Sequence, residues 1–124
     1  MKQGGQRALH NLGFYARLEH RHSDVCGLRD QKILCLEMET AAIAHVLINI
    51  HRDLANGADL VGVVCHDFNT QAAICRLLAR QLDPELRPRV AVITLSLITF
   101  LAEPPAENQG GAAPTGVGQD RNKT

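Results

Sequence analysis

Residues 59–68 read DLVGVVCHDF, and whether this apolar run is a strand or a piece of buried helix decides the fold. Period alone does not separate the two, because a short run that is apolar throughout is compatible with either. Two local features favour the strand. The run is rich in β-branched valine, which fits a pleated sheet, and Asn56-Gly57 just upstream supplies a helix stop.

Working outward from this run, the sequence alternates. KILCL (32–36) is an apolar run of strand length, and from Met38 to Leu54 the apolar residues Ile43, Val46, Leu47, Ile50 and Leu54 fall at helical spacing. Downstream, Asn69 can cap a helix running to Gln81, with Ala73, Ile74, Leu77 and Leu78 on one face. Pro84 and Pro88 close it, and Arg89 to Leu97 forms a third β-branched run. Strand, helix, strand, helix, strand predicts an α/β fold: a small three-layer parallel sheet with flanking helices, as part of a larger domain. An all-α bundle is the alternative that period leaves open.

The ends differ in character. Residues 1–13 read as a polar N-terminal segment and residues 14–102 as a single α/β domain. From 103 to 124 the chain is rich in Pro, Gly, Asn and Gln with almost no large apolar side chains, so a disordered tail is expected, because too little surface can be buried to offset ordering entropy.

Bulk composition removes several classes of function. Lys plus Arg equals Asp plus Glu at 13 each, which argues against a nucleic-acid partner or an anionic membrane surface. Aromatic residues make up only 3%, without Trp, so base-stacking platforms are not available and the core must be aliphatic. Cys26, Cys35, Cys65 and Cys75 show no CxxC pair and no secretory context, which predicts reduced cysteines and a cytoplasmic protein. Of these, Cys35, Cys65 and Cys75 read as small core residues. The apolar stretch VAVITLSLITFL (90–101) falls short of the roughly 18 residues of a bilayer helix, so no membrane partner is expected. His45 and His51 are six apart, off the i, i+4 spacing of a helical zinc pair, and neither a metal nor a cofactor is expected.

In parallel α/β sheets ligands bind outside the carboxyl ends of the strands. That rule singles out Glu37-Met38-Glu39 after KILCL and His66-Asp67 after LVGVVC. If the two strands are neighbours, their carboxylates converge, and carboxylates accept hydrogen bonds from vicinal hydroxyls of a polyhydroxylated ligand. Plainer roles compete: Glu37 and Glu39 suit the positive end of a helix dipole, and Asp67 suits a helix cap.

The stretch ILCLEMETAAIAHV (33–46) resembles the Glu-Met-Glu segment of the nucleoside phosphorylase and nucleosidase superfamily, where a strand ends in these residues and a small-residue helix follows. The next strand there ends in an Asp, as LVGVVCHD (60–67) does here, and FYARL, SDV and LRD resemble the segment that precedes the motif. The similarity runs from Phe14 to Arg80 and leaves IHRDLANG (50–57) as extra residues. It implies that Glu39 accepts ribose hydroxyls, Met38 packs under the sugar, Glu37 lines the same pocket and Asp67 is the catalytic acid. The implied function is binding of a nucleoside or related small molecule, with cleavage of an N-glycosidic bond if the chain is active.

A second resemblance covers residues 58–93, which are similar to the second half of the nucleotide-binding regulatory domain of potassium channels and transporters. It implies a non-enzymatic regulatory or protein-interaction module of half-Rossmann architecture; three strands leave open sheet edges, which predicts a homo-oligomer, and a small helical bundle used for protein binding is the further alternative.

Overall fold

A computed structural model describes residues 2–18, 23–39 and 43–103, with the side chain of Glu39 outside the description. Its elements are α1 (Lys2–Asn11), β1 (Tyr15–Leu18), β2 (Val25–Arg29), β3 (Lys32–Glu39), α2 (Val46–Ala55), β4 (Leu60–Cys65), α3 (Phe68–Gln81), β5 (Val90–Thr94) and α4 (Leu95–Ala102). The five strands form one sheet in the order β1-β2-β3-β4-β5. β1 to β3 pair antiparallel, whereas β3, β4 and β5 are parallel.

The fold is therefore mixed α/β, and the all-α alternative does not hold. DLVGVVCHDF contributes β4, with Val61, Val63, Val64 and Cys65 all buried. The expectation of a purely parallel sheet is corrected by the β1–β2–β3 meander. Its second turn, Asp30-Gln31, has positive φ at both residues (53° and 65°) and joins β2 to β3. That is the backbone of a two-residue hairpin whose twist matches the strands. Asp and Gln there, rather than Asn-Gly, give little signal in sequence.

Two cores sit on opposite faces of the sheet. Cys26, Cys35, Val61, Val63 and Cys65 pack with Val46 and Ile50 of α2 and Ile74 and Leu78 of α3. On the other face, Val25, Leu36 and Val64 pack with Ala8 and Leu9 of α1 and Ile98 of α4. Strand alternation divides β3 accordingly: Ile33 and Cys35 lie with the first core, and Leu34, Leu36 and Met38 with the second.

Several boundaries shift from the expected ones. Within the polar segment 1–13 lies α1, which buries Gly5, Ala8 and Leu9 at helical spacing. It ends at Gly13 (φ +90°), where the Gly13 amide donates to His10 and the Phe14 amide to Leu9, the paired bonds of a Schellman cap. Gly57 (φ +104°) ends α2 in the same way, with its amide on the Leu54 carbonyl and the Ala58 amide on Asp53. Strand β3 continues through Glu39, so Met38 is in a strand and not in the helix, which begins at Val46. The third run likewise changes at Leu95 from strand to helix without an intervening Gly or Pro. The residues expected to form a disordered tail lie, beyond Glu103, outside the described residues. Among the described residues, no helix is long and apolar enough to cross a membrane.

Candidate functional site

The carboxyl ends of β3 and β4 are neighbours. Glu37 pairs in register with Val63, Met38 with Val64 and Glu39 with Cys65, and Thr94 at the end of β5 also pairs with Cys65. Asp67 stands two residues beyond Cys65. The two strand ends singled out by the sequence therefore meet at one end of the sheet.

Asp67 is exposed and caps α3, its Oδ1 accepting the Thr70 amide hydrogen across 2.7 Å. The Thr70 backbone bond, then the Thr70 side chain, hold its carboxyl below the ordinary carboxylate range. It is an ionised acceptor at neutral pH, and proton delivery from it requires a ligand that alters this environment.

Met38 packs among the α1/α4 core, close enough to α1 that a Cβ on Gly5 would lie 2.6 Å from Met38 Cε. Its amide donates to Asp24 Oδ2 across 2.7 Å, and Asp24 also pairs with Lys2 at 3.3 Å. These contacts tie the end of β3 to the N-terminal helix.

Glu37 lies on the opposite side, against α2, and is 5% exposed. Arg52 Nη2 donates to Glu37 Oε2 across 3.0 Å. The same guanidinium reaches Asp53 Oδ1 at 3.4 Å, and the Ser23 hydroxyl donates to that oxygen across 2.7 Å. Asp53 is 1% exposed, and its Oδ2 has no hydrogen-bond partner among the described residues. Burial, then the hydrogen bond and charge of Asp53, push the Glu37 carboxyl up to about 9 against the opposing pull of Arg52. A proton on Glu37 makes its hydroxyl the donor the two carboxyls share. The cluster is then neutral as a whole, Arg52 offsetting Asp53, which is how a carboxylate this deep is accommodated.

Ser23, Arg52 and Asp53 were not among the residues the sequence singled out. One signal was present: Asp53 follows Val46 by seven residues and Ile50 by three, which puts a carboxylate on the buried stripe of α2. No sequence pattern brings Ser23 to it, because that contact spans 30 residues.

Cys26, Cys35 and Cys65 are buried, while Cys75 is exposed and is not the core residue expected. Among the described residues no group of three metal-ligating side chains is arranged to hold an ion. No family model, curated protein or solved structure matches the chain.

Proposed function

We propose that the carboxyl end of β3 and β4 binds a nucleoside or a related polyhydroxylated small molecule. Glu39 is assigned to the sugar hydroxyls and Asp67 to the base. The observation that supports this reading is the pairing of Glu39 with Cys65, two residues before Asp67, on adjacent parallel strands. Carboxyl ends of parallel strands are where α/β sheets hold ligands. Glu37 and Met38 then act from beneath, Glu37 through the Arg52 and Asp53 cluster and Met38 through its packing under α1. If the chain cleaves an N-glycosidic bond, Asp67 serves as the acid only in a complex that protonates it, where its carboxyl donates to the departing base as negative charge develops there.

Isothermal titration with adenosine, inosine and methylthioadenosine tests the reading. The native protein should bind at least one of them, and Glu39→Ala should lose about tenfold in affinity, roughly 1.4 kcal/mol. Absence of binding to the folded native protein defeats it.

One observation favours a second reading, a protein-interaction module. Helix α4, LSLITFLA, carries no charge and leaves Phe100 75% exposed beside Leu97, and an uncharged helix of this kind is usually covered on all sides. Light scattering after size exclusion tests it: a strict monomer at every concentration argues against self-association through α4.

A further inference from the structure

We propose that Cys26 and Cys35 form an oxidisable dithiol, entered at Cys26 from a surface groove, that closes to a cross-strand disulfide by exchange with a low-molecular-weight disulfide of the glutathione class. The two residues are register partners on antiparallel β2 and β3. Both belong to the α2-side core, and their Sγ atoms are 2.9 Å apart. Directly opposed residues in an antiparallel ladder have Cα atoms about 4.5 to 5.5 Å apart, inside the range of about 4.4 to 6.8 Å that a disulfide spans. The bridge therefore needs side-chain rotation and little backbone movement.

The other cysteines are poor rivals. Cys65 pairs with Glu39, four residues beyond Cys35 along β3, or about 13 Å along the strand. Cys75 is exposed on α3.

Access is asymmetric. A cavity of about 220 Å³ lies over the β1–β2 end of the sheet, lined by Tyr15, Arg17, Cys26, Gly27, Leu28 and Ile33. In register, Tyr15, Leu28 and Ile33 form one row across three strands, and Arg17, Cys26 and Cys35 form the next. Cys26 lines the groove and Cys35 does not. Arg17, opposite Cys26 in register, supplies a cation suited to the carboxylates of a glutathione-type molecule.

The exchange balances in two steps. The Cys26 thiolate attacks one sulfur of the small disulfide, forming a mixed disulfide and expelling one small thiolate. The Cys35 thiolate then attacks Cys26 Sγ, forming the protein disulfide and expelling the second small thiolate. Two protein thiols are oxidised, one external disulfide is reduced to two thiols, and the protein's two protons pass through solvent to the departing thiolates. The attacking group in each step is a thiolate, so the exchange is faster in mild alkali than at neutral pH.

The test incubates the full chain to constancy with excess oxidised glutathione at mildly alkaline pH, followed by quenching, intact mass and tryptic mapping. Arg29 and Lys32 lie between the two cysteines, so trypsin separates the cysteine peptides unless a disulfide joins them. The native chain should yield linked Cys26 and Cys35 peptides, about 2 Da lighter than the two reduced peptides together, whatever glutathione exposed Cys75 carries, and Cys65→Ser should behave alike. Cys35→Ser, checked for folding by circular dichroism, should stop at a glutathione adduct on Cys26. If both residues of the native chain remain alkylatable thiols, or if either ends joined to Cys65, Cys75 or glutathione, the proposal is overturned.

Discussion

Arg52 Nη2 donates to Glu37 Oε2 across 3.0 Å, linking the last turn of α2 to the third-last residue of β3. The same guanidinium lies 3.4 Å from Asp53, so one cation serves two buried carboxyls. This cluster underlies the end of the sheet assigned to ligand, and its protonation is linked to stability.

The linkage has a definite sign. Glu37 is raised from 4.5 to about 9 on folding, so between those values the folded chain holds a proton that the unfolded chain has released. Stability therefore falls as pH rises through this window, by up to about 1.4 kcal/mol per pH unit, and levels off above it. Urea unfolding measured across about pH 5 to 9 should show this decline, and Glu37→Gln should flatten it. An unchanged slope in the variant would remove Glu37 as its source.

Replacing Arg52 by Met keeps much of the side-chain stem and removes the charge. Asp53 then loses its cation while remaining buried, and a loss of about 2 to 3 kcal/mol is expected. The combined change Arg52→Met with Asp53→Asn should recover part of that loss, because the uncompensated charge is gone. Equilibrium unfolding of the two variants decides it.

Asp67 can be separated into cap and ligand. Asn caps helices as well as Asp, so Asp67→Asn should leave thermal stability near that of the native protein while weakening nucleoside binding. Asp67→Ala should lower both. Equal binding by Asp67→Asn and the native protein would leave Asp67 only its bond to Thr70.

The seat of α1 can be tested at two glycines. A Cβ on Gly27 would lie 2.9 Å from Leu9 Cδ1 and 3.1 Å from Phe14 Cβ, so Gly27→Ala should cost about 1 to 3 kcal/mol through overpacking. At Gly5 the nearest atom is the flexible end of Met38, at 2.6 Å. There the helix gains about 1 kcal/mol from Ala, and Gly5→Ala should come out close to neutral in chemical denaturation.

By itself the sequence determined the parallel half of this protein. Valine-rich 60–65, the Asn56-Gly57 stop and the apolar faces of α2 and α3 are local signals, each set by backbone preference or by side-chain period. Those same signals located the two strand ends that meet at Glu39 and Asp67. Tertiary structure decided the rest. Helix α1 contains two adjacent glycines and forms because it packs against β2, β3 and α4, while β1 and β2 are short strands with mixed patterns that sheet pairing specifies. The end of β5 has no breaker and becomes α4 where its residues can cover the second core. The contacts of Glu37 with Arg52 and of Ser23 with Asp53 span 15 and 30 residues. Such contacts follow from how the sheet and α2 come together, since the energy that buries a charge depends on neighbours that local sequence does not name.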